Sequence, residues 1–317
     1  MTLANLLTQT LHAQGVRGLD NLLTVDITYR QYLLSCKAED KLPKTIEAYT
    51  RSLLMLVQTT GQKPVRAITA TDIRLSLLAV KDKNWAPSTV HQYYRSISTF
   101  FRWCIREEII DKNPMQNVRP PVIPKLIKRP FSPRDIEEYQ KLIAGDTFLA
   151  RRNRAIVYLF NDSGVRLAEM VGIKIADIDM NSDTIRVFGK GRKERIVPIG
   201  KRTQRALWEY LLCRTDNLPD LWLTEERRPM RRSGMQILIY RLSKRAGVTD
   251  AKCGPHTWRH TAAFQCRTNG MSLEEVQQLL GHSSPDTTRR YLGTFDATNQ
   301  MVIAHRKASP VDHLFKR

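Results

Sequence analysis

Apolar positions along this chain recur mostly at helical spacing, and only briefly at the alternation of a strand. From Ser88 to Glu107, the residues Val90, Tyr93, Tyr94, Ile97, Phe100, Phe101, Cys104 and Ile105 mark one face of a long amphipathic helix. Leu42 to Val57 predicts another, with Ile46, Tyr49, Leu53 and Leu56 on one face. Thr69 and Asp72 have the spacing of a capping box, opening a helix through Ile73, Leu77 and Leu78. The aromatic side chains of this half sit at core spacing, so they read as packing rather than as platforms for stacked bases. The first part of the chain therefore predicts a small helical bundle.

A proline-rich stretch follows. Pro114, Pro120, Pro121, Pro124 and Pro130 crowd together with Arg119, Lys125, Lys128 and Arg129. Proline removes backbone donors and pushes the preceding residue towards extended conformations, so residues 119–130 read as a stiff, irregular linker. Its charges suit either phosphate contacts along a duplex or simple solvation. The predicted organisation is a helical domain over residues 1–118, the linker, and a second domain over 131–317. Within the latter, Ser132-Pro133-Arg134-Asp135 is a helix start: a capping hydroxyl, proline at the first position and an acid in the first turn. Thr184 to Phe188 alternates as a strand, Arg195 to Ile199 follows as a second, and Gly189 to Lys193 supplies the turn between them. The fold class is thus mainly α with a small β-sheet (α+β).

Composition narrows the class of protein. With 317 residues the chain suits roughly two domains, and a 42% hydrophobic fraction is ordinary for a globular protein. No apolar stretch is long enough for a bilayer, and the first residues lack the basic start of a signal peptide, so neither a membrane nor export is expected. Cys36, Cys104, Cys213, Cys253 and Cys266 are scattered without a C-x-x-C pair, which points to reduced thiols in a cytoplasmic protein. The charge balance says more: 51 basic against 31 acidic residues give a net +20. Self-repulsion of that size calls for a polyanionic partner, and with no lysine-rich amphipathic helix or lipidation signal nucleic acid is favoured over a membrane surface. Charge alone does not choose DNA over RNA, or an enzyme over a packaging protein.

Four segments carry candidate chemistry. Ser163-Gly-Val-Arg-Leu-Ala-Glu169 is a turn entering a helix, with Arg166 at its start and Glu169 on the same face. Gly189-Lys190-Gly191 puts Lys190 near the tip of the hairpin. Gly254-Pro-His-Thr-Trp-Arg-His260 opens a helix on which His256, Arg259 and His260 point one way. Ser272 and Glu275 then cap a helix with Val276, Leu279 and Leu280 buried, ended by Gly281. His282 is presented from that turn, and Ser284-Pro285 starts a short helix with Tyr291 about two turns in. His256 and His260 superficially match a zinc helix, but Thr257 replaces the glutamate of H-E-x-x-H and no third ligand is evident, so no metal is expected. Two arginines, a lysine, two histidines and a tyrosine together are what phosphodiester cleavage without a metal requires. They provide cations for the non-bridging oxygens, groups to move protons, and a nucleophile.

The blocks S-G-V-R-L-A-E-M, V-F-G-K-G-R-K-E-R-I-V-P-I-G, H-T-W-R-H-T-A-A and L-L-G-H-S-S-P-D-T-T-R-R-Y resemble the tyrosine recombinases, or phage integrases, and their Xer-like bacterial members. The resemblance runs in order from about Phe131 to Tyr291. The helical first half, including Thr45-Ile-Glu-Ala-Tyr49 and Asn113-Pro114, resembles that family's SAM-like core-binding domain. The resemblance implies that Tyr291 attacks the scissile phosphate, leaving a 3′-phosphotyrosyl bond and a free 5′-hydroxyl. Arg166 and Arg259 would hold the non-bridging oxygens, Lys190 would protonate the leaving oxygen, His256 would take the tyrosine proton, and His282 would hydrogen-bond the phosphate. Glu169 and His260 would support the site. No cofactor is implied; no ATP is needed because the phosphotyrosine conserves the energy of the broken bond, and no metal because arginine and lysine do the electrostatic work.

The implied partners are double-stranded DNA and further subunits, as a homotetramer on two recombination sites or together with a related recombinase. The family's C-terminal tail docks on a neighbouring subunit; packing of residues 301–315 on their own domain is the other reading. Trp258 departs from the family's more frequent leucine, and Leu292-Gly293 follow Tyr291, which leaves the subgroup open. Three other classes stand beside this one: a type IB topoisomerase with the same chemistry, a non-catalytic DNA-binding protein on the same fold, and a metal-dependent nuclease. The last is disfavoured because no acidic cluster suits magnesium. The target sequence, and the choice among integration, excision, inversion and dimer resolution, are not encoded in any motif.

Overall fold

The computed structural model describes residues 23–124, 129–189, 194–248, 253–282, 284 and 288. The chain divides into two compact units, Met1–Lys125 and Leu126–Arg317. The described part of the first is helical: α1 (Val25–Ala38), α2 (Pro43–Thr60), α3 (Ala70–Lys81) and α4 (Pro87–Arg106), with a 3-10 turn at Val65–Ala67. Helices α2 and α4 both begin with proline, whose fixed φ suits the first helical position and whose missing N–H costs nothing there. The anticipated capping box closes on α3: the Thr69 hydroxyl accepts from the Asp72 N–H at 3.3 Å, and the Asp72 carboxylate accepts from the Thr69 N–H at 2.8 Å.

The core of this unit lies between α2 and α4, where Leu53, Leu56, Ile97, Phe100, Phe101 and Cys104 are fully buried. Tyr32 meets Phe100 edge-on at 5.7 Å, so the aromatic residues are packing groups, as their spacing predicts. Two features differ from the sequence reading. Helix α1 is not anticipated, although Val25, Tyr29, Tyr32 and Cys36 form its buried stripe. On α3 the stripe is Ile73, Ser76, Leu77 and Val80; Leu78 is one residue, about 100°, off that face and stands 50% exposed.

The second unit joins helices to one small sheet. It contains α5 (Pro133–Leu142), α6 (Phe148–Ser163), α7 (Leu167–Gly172), β1 (Ile178–Asp179), β2 (Thr184–Phe188), β3 (Glu194–Pro198), α8 (Lys201–Leu211), α9 (Arg232–Arg245), α10 (Pro255–Thr268) and α11 (Leu273–Leu280). The sheet is antiparallel in the order β1-β2-β3, and β3 starts one residue earlier than predicted. Ile185 pairs with Val197 and Val187 with Arg195, all on the face turned to the core. That register puts a charged side chain, Arg195, in phase with buried valines.

Helix α10 is anchored by an aromatic nest: Trp258 lies 4.6 Å from Phe131 and 4.7 Å from Tyr139, ring centre to ring centre, and is fully buried. The Phe131 N–H donates to Thr261 Oγ1 at 2.9 Å, fastening the start of the unit to the same helix. Helix α5 starts as predicted at Ser132, and Ser132 and Asp135 in addition close a capping box. Residues 119–124 and 129–130, from the predicted linker, contain neither helix nor strand. Among the described residues, no helix is long and apolar enough to cross a membrane.

Candidate active site

The site is built around the C-terminus of α11. This helix starts with the predicted Ser272–Glu275 box and stops at Gly281, which takes the left-handed conformation at φ +62°. The His282 N–H donates to the Gln277 carbonyl at 3.1 Å and the Gly281 N–H to that of Gln278 at 3.0 Å, the two bonds of a Schellman motif. These account for two of the carbonyls that a helix end leaves unpaired. The next three are each taken by an arginine. Arg195 Nη1 reaches the Leu279 oxygen at 2.8 Å, Arg259 Nη2 that of Leu280 at 2.6 Å, and Arg166 Nη2 that of Gly281 at 3.0 Å. Cations are favoured at this end of a helix dipole, and each bond satisfies an otherwise unpaired acceptor.

Each arginine arrives from a different element. Helix α6 ends in Gly164 at φ +59°, where a Cβ would lie 2.8 Å from Leu280 Cδ2, so only glycine lets α6 and α11 approach this closely. The chain turns there into Arg166, the N-cap of α7. Arg259, on α10 and 3% exposed, donates a second bond from Nη1 to the Gly164 carbonyl at 2.6 Å. Glu169 joins two of the three cations: Oε1 accepts from Arg166 Nη1 at 2.8 Å and Oε2 from Arg195 Nη2 at 2.7 Å. Oε2 also accepts the Arg166 backbone N–H at 2.8 Å. Burial of Glu169 pushes its pKa up, but the Arg166 N–H and the charges of Arg195 and Arg166 outweigh burial and hold it below the usual glutamate value.

His282 sits directly after this turn, with Nδ1 2.9 Å from Thr288 Oγ1. Burial, then the charges of Arg259, Arg166 and Arg195, depress its pKa to about 4, so the ring is neutral near pH 7. In the tautomer where Thr288 donates to Nδ1, Nε2 carries the hydrogen and acts as a donor. His256 is the second residue of α10 and is exposed, whereas His260 one turn on is 4% exposed. The three side chains of that helix therefore do not share one environment: Arg259 and His260 face inward and His256 faces solvent. Lys190 and Tyr291 lie outside the described residues, as do most of the short helix predicted from Ser284, the C-terminal tail, and the first residues of the chain. Thr288 alone of that short helix is described in helical conformation, and it is fully buried.

Arg166, Glu169, Arg259 and His282, singled out from sequence, meet at one helix end. Arg195 and Thr288 join them there without having been singled out as site residues. The signal for Arg195 was available: it is a charge at an inward position of an alternating strand, in phase with Val197 and Ile199. Among the described residues, no group of three His, Cys, Asp or Glu side chains is placed to hold a metal ion.

A helical unit is followed by a mixed unit, in which arginines from separate elements gather at one helix end beside a histidine. Comparison with known proteins gives the family. Residues 135–297 match the phage integrase family, and residues 29–111 match the phage integrase N-terminal SAM-like domain. A tyrosine recombinase XerD from Halalkalibacterium halodurans is 30% identical over 296 residues, covering 89% of this chain and 98% of that protein. A tyrosine recombinase XerC from Thermodesulfovibrio yellowstonii is 33% identical over 238 residues, covering 72% of this chain and 78% of that one. Among solved structures, a Tn1549 transposon integrase in complex with a circular-intermediate DNA superposes with a TM-score of 0.71 at 21% identity, covering 89% of this chain and 99% of that one. A lambda integrase dimer bound to a COC′ core site gives 0.73 at 18% identity, covering 90% and 81%. The chain belongs to the phage integrase family of tyrosine recombinases.

Proposed function

We propose that this protein is a site-specific recombinase that cleaves and rejoins duplex DNA through Tyr291. The observation that carries the reading is the meeting of Arg166, Arg259 and His282 at the end of α11, with Glu169 bonded to Arg166. Both arginines spend part of their donor capacity on backbone carbonyls, which fixes the planar guanidinium groups before any substrate arrives. Preorganised donors of this kind stabilise the charge that develops on the non-bridging oxygens without reorganising during the reaction.

In the reaction, the Tyr291 oxygen bonds to phosphorus and the bond from phosphorus to the 5′-oxygen breaks. His256 accepts the tyrosine proton and Lys190 supplies one to the leaving 5′-oxygen. Neutral His282 donates to a non-bridging oxygen, a role that its depressed pKa suits. Reversal with a 5′-hydroxyl from another duplex rejoins the strand, so the cycle consumes no ATP. Glu169 orients Arg166, and His260 supports α10 from its buried side. The net charge of +20 and the DNA-bound forms of the structurally similar integrases support duplex DNA as the partner. Strand exchange between two sites requires two cleaved duplexes, for which the assembly is a tetramer of this chain or of this chain with a related recombinase. We further assign the first unit, over residues 1–118, to DNA binding and residues 119–130 to the linker that passes the duplex, in a protein of the cytoplasm.

The test uses a nicked duplex carrying the site recovered by selecting bound duplexes from a randomised pool, incubated with EDTA and without ATP. A protein–DNA adduct that survives denaturation, and is absent from Tyr291→Phe, is the expected result. Specific binding without an adduct in the wild type would replace this reading with a non-catalytic DNA-binding protein. Relaxation of supercoiled DNA by the monomer, without strand exchange, would replace it with a topoisomerase.

A further inference from the structure

Arg195 has no part in the chemistry above, yet it is bonded both to Glu169 and to the end of α11. Its side chain leaves β3 on the inward face and is 17% exposed. One terminal nitrogen is bonded to Glu169 Oε2 and the other to the Leu279 carbonyl. Its aliphatic stem lies against the backbone just before His282: a Cβ built on Gly281 would sit 2.7 Å from both Arg195 Cδ and Nε. The side chain therefore spans three elements, β3, α7 and the last turn of α11.

An arginine kept for surface solubility would extend into water, and this one is largely enclosed. A direct phosphate contact is the stronger alternative, since Arg166 and Arg259 also have both terminal nitrogens engaged inside the protein, and DNA affinity separates the two roles. What sets Arg195 apart is that it bridges the acid and the helix end, as a rigid, two-pronged spacer. It fixes the distance between Glu169, which holds Arg166, and the turn that presents His282.

We propose that Arg195 is a positioning residue, acting through Glu169 and the Leu279–His282 turn to hold Arg166 and His282 in register on the scissile phosphate. A lysine at this position keeps the charge, but its single nitrogen cannot span both acceptors with the fixed fork of a guanidinium. Arg195 is also one of the charged groups facing His282, together with Arg259, Arg166 and Glu169, and it contributes to depressing the His282 pKa.

The inference rests on the recombinase reading, and its test separates the two. Arg195→Gln and Arg195→Lys are compared with wild type in single-turnover adduct formation on the nicked duplex. DNA affinity is measured in the Tyr291→Phe background, and folding by thermal melting. The expected result is cleavage at saturating DNA slowed about 100-fold in Arg195→Gln, the order expected for a small misplacement of reacting groups. Arg195→Lys should recover part of that loss, and DNA affinity and its salt slope should not change. Histidine NMR of the full chain should show His282 titrating at higher pH in Arg195→Gln than in wild type. Wild-type cleavage by folded Arg195→Gln would overturn the proposal. So would a loss that appears in affinity with a shallower salt slope, which would make Arg195 a DNA contact. A defect that vanishes once activity is expressed per folded molecule would reduce it to a structural residue. If the wild type itself forms no adduct, the recombinase reading fails instead.

Discussion

Replacing Gly164 with alanine should cost this protein far more than one methyl group would suggest, and the structure divides the cost into two parts. The first is conformational: at φ +59° an alanine sits in the left-handed region, at roughly 1–2 kcal/mol. The second is steric: the new Cβ would stand 2.8 Å from Leu280 Cδ2 and 3.3 Å from Ala262 Cβ, and forcing a methyl into a filled core costs about 1–3 kcal/mol. The sum, about 2–5 kcal/mol, is a large part of the ~5–15 kcal/mol that usually holds a domain together. Gly247 supplies the control. It has φ +68° in the same unit but nothing within 4 Å of its Cβ position, so Gly247→Ala should show the conformational part alone. Urea titration of both variants, followed by circular dichroism, gives the difference directly. Relief of the pressure on α11 by Leu280→Val should restore part of the Gly164→Ala loss. Equal losses in Gly164→Ala and Gly247→Ala would refute the argument that α6 and α11 are held in contact at that glycine.

Four further outcomes follow from the charges. Glu169→Ala should destabilise the second unit by about 3–5 kcal/mol, because it leaves the enclosed Arg195 guanidinium without its counter-charge; a loss under about 1 kcal/mol would contradict the pairing described. The Glu169 carboxyl has a lowered pKa in the folded state, so its stabilising contribution is complete above the unfolded value of 4.5 and fades as pH falls through the folded one. Glu169→Gln should flatten that acid limb in urea titrations. His282 has the same sign at higher pH: folded near 4 and unfolded near 6.5, it takes its proton first in the unfolded chain, so stability falls as pH drops from 6.5 towards 4. His282→Asn should lessen that slope, and an unchanged slope would mean that the ring is not held neutral. Finally, DNA affinity should fall steeply with salt, with a slope of about −0.9 in log K against log salt per phosphate neutralised, and a flat dependence would exclude phosphate contacts as its source.

The parts of the fold that were legible in the sequence are those fixed by local chemistry. The boxes at Thr69 and Ser272 close as their spacing predicts, and the helix start at Ser132 is where it was expected, since a hydroxyl and a carboxylate three residues apart need only their own helix. The hairpin strands appear within a residue of the predicted range because alternation is read directly from burial. Helix α1 escaped notice because Tyr29, Tyr32 and Cys36 do not form an obvious apolar run, although the bundle buries them. At the site, the motif blocks identified Arg166, Glu169, Arg259 and His282, but not how they are held. That they share one helix end depends on carbonyl groups, which every residue possesses and no sequence distinguishes. The inward phase of Arg195 on its strand was legible, but not its second partner, a main-chain oxygen more than eighty residues away.

The placement of those carbonyls also sets an order of events during synthesis. Arg166, Arg195 and Arg259 all precede the oxygens at 279–281 that fix them, and Tyr291 comes later still. A chain emerging from the ribosome with its N-terminus first therefore carries the cations, with Glu169 and the Gly164 carbonyl, before it carries the helix end that completes their geometry. The last turn of α11 is in effect a checkpoint on translation: a polypeptide that stalls short of it can carry the charge to be drawn to DNA, but has no arranged site with which to break it.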